Sequence, residues 1–179
     1  MTYLSAPFPM SRPRRLRQTD WMRRMVSETM INPDDFIYPM FICEGTKISD
    51  PIQSMPGVNR LSIDMAIEMA NHAANVGIPA IALFPYTEKN LKNSECTEAF
   101  NPNNLVNRAT KAIKVAVPDI GIMLDVALDP YNSDGHDGIV RNGEIINDET
   151  LMALEKQALL QAEAGANILG PSDMMDGRI

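Results

Sequence analysis

Cysteine is scarce in this sequence. Cys43 and Cys96 are the only two in 179 residues, far apart and in no Cys-x-x-Cys pattern. That excludes a disulfide framework and a sulfur-rich zinc cluster, and it suits a reducing compartment. No apolar run approaches the ~20 residues needed to cross a bilayer, so no membrane span is expected. The first ten residues lack a signal-peptide core, because Pro7 and Pro9 interrupt them. No Gly-x-Gly-x-x-Gly follows the first apolar run, which weakens a dinucleotide-binding reading.

What is present is globular: 45% hydrophobic and 22% charged residues, in a length that suits one domain. Charge is unevenly spread. Residues 1–27 hold six Arg against Asp20, a balance of +5, so the remainder of a chain of net charge −7 stands at −12. A basic arm on an acidic body points to docking on acidic protein, its own or a neighbour's. Nucleic acid is the other reading of such an arm, but no binding motif accompanies it, and none is expected as a partner. Residues 1–19 are rich in Pro, Ser and Arg without sustained period, and need a partner surface to order. Tyr3, Leu4, Phe8 and Met10 give the arm an apolar grip.

Thr19 or Asp20 caps a short helix through Ser27, with Trp21, Met25 and Val26 inward. Beyond the turn at residues 32–35, buried strands alternate with amphipathic helices. Phe36–Ile42, Ala80–Phe84, Ile120–Val126 and a run starting at Asn167 read as strands. Helices are expected over 64–76, capped by Ser62, from Asn101-Pro102 to Ala116, and from a cap at Asn147 to Gly165. Their predicted inner faces use Met65, Met69, Ala73 and Val76; Leu105, Ala109, Ala112, Ile113 and Ala116; and Leu151, Leu154, Ala158 and Ala162. Residues 44–53 and 86–100 read as loops, and Asn142-Gly143 marks a short hairpin. The order βαβαβαβ implies an α/β fold with a parallel sheet. Spacing alone does not choose between an open doubly wound sheet and part of a closed barrel, and a whole barrel typically takes ~250 residues.

The stretch Leu124–Gly138 stands out. An apolar run ends at Asp125, and a loop follows with Asp129, Asp134, His136 and Asp137. Strand then acidic loop is how a β/α enzyme presents side chains at the carboxyl end of its sheet. A turn alone would need no more than Asp129-Pro130, Gly135 and Gly138. On local features Asp125 is either an acid/base group or a loop cap. His136 either orients a carboxylate or is a plain loop histidine, and His72, on a helix, reads as a surface or interface residue.

Asp-Val-Ala-Leu-Asp-Pro-Tyr at 125–131, Gly-His-Asp-Gly at 135–138 and Pro-Ser-Asp-Met-Met-Asp-Gly-Arg at 171–178 resemble the porphobilinogen synthase (aminolevulinate dehydratase) family. So do Met55-Pro56-Gly57-Val58 and Ala82-Leu83-Phe84-Pro85, and the blocks run in the family's order from about Arg12 to Ile179. The resemblance implies a TIM (β/α)8 barrel with an N-terminal arm. Here residues 1–30 would be the arm and 31–179 the first half of the barrel, four strands long. It implies condensation and dehydration of two 5-aminolevulinate molecules to porphobilinogen, in the cytoplasm, by a homo-oligomer, an octamer assembled through the arm. The Arg-rich start faintly resembles an organelle transit peptide, but the family resemblance begins within it.

The same resemblance implies site roles. Asp125 matches a catalytic, active-site Asp; Ser172 and Asp173 match substrate-binding residues; Asp129, Asp137 and His136 line the site. Asp176 and Arg178 are expected to form a structural ion pair or a cap for the helix that should follow. The family's two Schiff-base lysines fall beyond Ile179, and Lys47, Lys89, Lys92, Lys111, Lys114 and Lys156 all fall in loops or on helices. Ala127, Asp129 and Asp137 stand where some members hold zinc with three cysteines, so no active-site zinc is expected and no residue is assigned to metal. Two carboxylates suit magnesium or a substrate ammonium instead, and the family's allosteric magnesium site falls beyond this chain. The alternative reading is a catalytically silent assembly module made of the arm and half-barrel. A different Schiff-base barrel enzyme, such as an aldolase, fits the 171–178 string poorly.

Overall fold

A computed structural model describes residues 6–7, 9–12 and 14–179. Tyr3, Leu4 and Phe8 of the expected apolar grip lie outside the described residues, and Met10 is exposed. The chain divides into two units, residues 1–32 and 33–179.

In the first unit a 3-10 turn at Arg15–Arg17 precedes α1, Asp20–Met25. Thr19 stands at the N-cap in extended backbone, and Asp20 pairs with Arg23 and Arg24, each at 3.3 Å. The inward face expected of α1 is absent: Trp21, Met25 and Val26 are all exposed. Six residues make less than two turns, too short to bury a stripe without a partner surface.

The second unit runs β1 (Ile37–Ile42), β2 (Ser49–Pro51), β3 (Asn59–Leu61), α2 (Ile63–Asn75), β4 (Ala80–Pro85), α3 (Leu105–Ala116), β5 (Gly121–Val126), β6 (Val140–Arg141), β7 (Glu144–Ile145), α4 (Asn147–Ala164) and β8 (Ile168–Pro171). The main sheet has the order β2-β3-β1-β4-β5-β8, parallel throughout except for the β2–β3 pair. The fold is α/β with a mainly parallel sheet, as the alternation implied. The expected hairpin is β6–β7, turned through Asn142 and Gly143 at φ 53° and 83°, the left-handed pair that Asn-Gly accepts. β2 is a departure, since its residues read as loop. It forms because β3 offers an edge, and β3 in turn covers the carboxyl end of β1 through Phe41 and Ile42.

The sheet's two faces differ. Met40, Ile42, Ile81, Leu83, Ile122 and Leu124 share one alternation and are at most 2% exposed. They pack in one core with Ala66, Ala70, Ala73, Leu105, Ala109 and Ile113 of α2 and α3, and α4 packs beside α3 on β5 and β8. The opposite face has Pro39, Phe41, Ala82, Phe84, Met123 and Asp125, with the Phe41 and Phe84 rings 5.6 Å apart between centroids. Within residues 33–179 no element lies over that second face.

Several helix details depart from the periodic reading. α2 buries Ala66, Ala70 and Ala73, with Met65 and Met69 at the margin and Val76 exposed, because small residues let the helix sit close on the sheet. Ser62 is at its N-cap position, but its hydroxyl bonds Asp64 and the Ile48 N–H instead of the helix end. α3 starts at Leu105, not at Pro102, and its cap is Asn104, whose Oδ1 accepts from Asn107 N at 2.9 Å. Asn147 is the first residue of α4 and not its cap; its side chain exchanges hydrogen bonds with the backbone of Asp176. α4's inner face contains Gln157 and Gln161, both 1% exposed, while Ala162 is exposed.

Candidate active site

β5 delivers Asp125 to the carboxyl edge of the sheet, opposite Gly170 of β8. Three residues past β8's start, its chain turns out at Pro171, which brings Ser172 over the strand end. Ser172 Oγ donates to Asp125 Oδ1 at 2.5 Å, joining residues 47 apart in sequence. Burial pushes the Asp125 carboxyl above the ordinary carboxylate range, and the charges of Asp137 and Asp173 add to that, against the Ser172 bond. Asp129 is pushed up for the same leading reason, burial, with Asp125 and Asp137 adding and Lys92 opposing. The Lys92 ammonium lies 3.5 Å from the Asp129 carbonyl. Asp137 and Asp173 thus bear on Asp125, and Asp125 and Asp137 on Asp129, at this strand end.

The loop that holds Asp129 and Asp137 is organised by a residue the sequence reading passed over. Asn132 is 1% exposed. Its Nδ2 donates to the carbonyls of His136 and Gly138, and its Oδ1 accepts from Asp134 N at 2.7 Å. Asn93 of the long 86–100 loop is bridged to it, with Ser133 N donating to Asn93 O. His136 uses Nδ1 to accept from Gly138 N at 3.1 Å, which fixes the ring's proton on Nε2 when neutral. Thr150 of α4 anchors the far end, accepting from Ile139 N and donating to Ile146 O. Gly138 leaves little room for a side chain: a Cβ there would lie 2.9 Å from Ile145 Cγ2 and 3.0 Å from Met175 Cε, and these would have to shift.

Asp173 is placed differently from its neighbour. Its side chain is fully buried, its Oδ1 accepts from Met175 N at 2.6 Å, and its Oδ2 lies 3.5 Å from Arg178 Nε. Arg178 also donates to the Met175 carbonyl. Arg178 pairs with Asp173 rather than with the expected Asp176, whose backbone is held by the Asn147 side chain. Asp173 holds the turn that presents Ser172, and reaches Asp125 through its charge.

Ala127 offers no donor, and among the described residues no group of three or more His, Cys, Asp or Glu could hold a metal ion. Both cysteines lie buried elsewhere, and burial pushes the Cys96 thiol up to about 11 and Cys43 up as well, so neither is a ready thiolate. The lysines sit where their neighbours expected: Lys114 donates to the carbonyls of Pro118 and Ile120, and Lys156 lies over the Phe100 ring. None stands on a strand.

Residues 10–179 match the family model for delta-aminolevulinic acid dehydratase. The chain belongs to this family. Curated dehydratases of similar sequence include those of Bradyrhizobium diazoefficiens, 54% identical over 94% of this chain and 48% of its own length, and of Rhodobacter capsulatus, 46% identical over 100% and 54%. A chloroplastic dehydratase of Chlamydomonas reinhardtii is 47% identical over 94% of this chain and 44% of its own. A crystal structure of the Toxoplasma gondii dehydratase in complex with porphobilinogen superposes with a TM-score of 0.88 at 45% identity, over 94% of this chain and 48% of that one. This chain thus spans about half the length of the dehydratases it matches. The matched half includes the whole acidic loop, Asp125 and Ser172.

Proposed function

We propose that this chain supplies the carboxylate-bearing half of a porphobilinogen synthase, which condenses two 5-aminolevulinate molecules and dehydrates them to porphobilinogen. The observation that carries the reading is the Ser172–Asp125 hydrogen bond at the carboxyl edge of the sheet, in a chain of the dehydratase family. The sheet itself is read as the first half of a (β/α)8 barrel. Strands β1, β4, β5 and β8 follow one another across the sheet in chain order, with only the short β3 and β2 added beyond β1, and α2, α3 and α4 share one face, whereas a doubly wound sheet covers both faces. The apolar second face is then the inner wall.

Asp125 is the acid/base group. A carboxyl with its proton affinity raised by burial is suited to take a proton from carbon and return it, or to balance an iminium cation. Ser172 and Asp173 bind and present the substrate side, Ser172 directly and Asp173 by holding its turn. Asp129, Asp137 and His136 line the entrance, where carboxylates attract the substrate ammonium. Neither carbonyl-bonded Lys114 nor the other helix and loop lysines suits a Schiff base, so that group comes from outside residues 1–179. Zinc takes no part, and a hard cation such as magnesium would find Asp129 and Asp137. The arm, with its Arg and exposed Trp21 and Met25, docks on a second copy of the chain, in an octamer. No helix among the described residues is long and apolar enough to cross a membrane, and the reading places the enzyme in the cytoplasm.

The test is to express the intact polypeptide that contains this segment and assay porphobilinogen formation from 5-aminolevulinate. Turnover abolished by Asp125→Asn supports the reading. An intact, folded polypeptide with no turnover favours the silent assembly module.

A further inference from the structure

The carboxyl end of β5 lacks a ladder donor on its β4 side. Along a parallel strand, the N–H and C=O of one residue point to the same neighbour, and successive residues alternate. Gly121 N donates to the Pro79 carbonyl, so Gly121, Met123 and Asp125 face β4. Asn167 N donates to the Ile122 carbonyl, so Ile122, Leu124 and Val126 face β8. With Ala80 opposite Gly121 and Leu83 opposite Leu124, the donor due to the Asp125 carbonyl is the N–H of residue 85. Residue 85 is proline and has none. On the other side the register pairs Val126 with Pro171, so the donor due to the Val126 carbonyl is Ser172 N, which reaches it at 3.4 Å.

α4 fills the gap. Gln161 Nε2 donates to the Asp125 carbonyl at 2.8 Å, and one turn earlier Gln157 Nε2 donates to the Ala127 carbonyl at 3.0 Å. Both side chains are 1% exposed, and the Oε1 of each has no hydrogen-bond partner among the described residues. Two buried amides would not be held in an apolar layer, each with an unsatisfied oxygen, unless the donor nitrogens were needed.

We propose that Gln161 is a positioning residue that replaces the backbone donor missing at Pro85, and so fixes the peptide from which the Asp125 carboxylate projects. Gln157 extends the same support to Ala127. The catalytic part of this inference rests on the dehydratase reading; the structural part does not.

The test is a double-mutant cycle in the intact enzyme with Gln161→Leu and Pro85→Ala, reading kcat, KM and Tm. Leu fills the space without a donor. Gln161→Leu should lower kcat about tenfold or more with KM changed less than about threefold, the pattern of a misplaced acid/base group. It should also lower Tm by about 2–4 °C, the usual response to one unsatisfied buried carbonyl. Pro85→Ala returns an N–H where the ladder needs it, so the double variant should recover at least half of both losses, which a packing role for Gln161 does not predict. If Gln161→Leu fails to fold, the double variant should fold. A double variant no better than Gln161→Leu, or a Gln161→Leu enzyme within threefold of wild type with unchanged Tm, overturns the proposal. If the wild-type enzyme forms no porphobilinogen, the dehydratase reading fails and the Tm cycle alone decides this one.

Discussion

Ser172 Oγ lies 2.5 Å from Asp125 Oδ1, a side-chain hydrogen bond that ties the ends of β5 and β8 together at the carboxyl edge of the sheet. The bond opposes the burial that raises the carboxyl's proton affinity.

Asp125→Asn keeps the shape and the Ser172 contact while removing the charge. In the intact enzyme, turnover should fall by ~100-fold or more, the scale of a positioned acid or base. Stability should move the other way. The folded carboxyl holds its proton more tightly than the unfolded one, so its stabilising contribution is full below the unfolded pKa and is lost as pH rises through the folded value. At neutral pH the variant should melt higher than wild type, a gain that shrinks as pH falls into the ordinary carboxylate range. Activity within a few-fold of wild type would reduce Asp125 to a loop cap.

Metal removal should be silent. With Ala127 where a ligand would stand and both thiols buried and protonated, zinc-selective chelation should leave turnover of the intact enzyme unchanged. Activity lost on chelation and restored by zinc alone would overturn this.

Much of the fold is legible in the sequence for a physical reason: β4 and β5 are apolar runs and the helices have period near 3.6. β2 and β3 were not, because Ser49–Pro51 and Asn59–Leu61 have no run and exist through their pairing. The inner face of α4 is legible in part: Leu154 is buried with Leu151 and Ala158 beside it, but Gln157 and Gln161 are polar residues that an apolar count passes over. Asp125 was visible as the first charge after an apolar run. Its bond to Ser172 was not, since nothing local links residues 47 apart.

Asn132 makes its own prediction. Its amide bonds three backbone groups of the acidic loop, two of them carbonyls. Asn132→Ala leaves the buried Gly138 carbonyl without this donor and should cost about 1–3 kcal/mol. Urea denaturation with an unchanged m-value would read it as a shift in midpoint. A shift below about 0.5 kcal/mol, the level of an ordinary surface substitution, would show that the loop holds itself.

Residues 1–179 expressed alone should self-associate. The sheet face with Phe41, Phe84 and Met123 has no cover within its unit, and Ile168 and Leu169 are exposed on the β8 edge. At ~25 cal/mol per Å2, a few hundred Å2 of wet apolar surface amounts to several kcal/mol, comparable with a domain's whole net stability. Sedimentation should give a mass that grows with concentration. A monomer with one cooperative thermal transition would contradict this.

The central claim is that this segment brings the carboxylate and none of the Schiff-base chemistry. The direct measurement is borohydride reduction of the intact enzyme in the presence of 5-aminolevulinate, followed by peptide mapping by mass. The account predicts an adduct on a lysine outside residues 1–179. An adduct on Lys47, Lys89, Lys92, Lys111, Lys114 or Lys156 would contradict it.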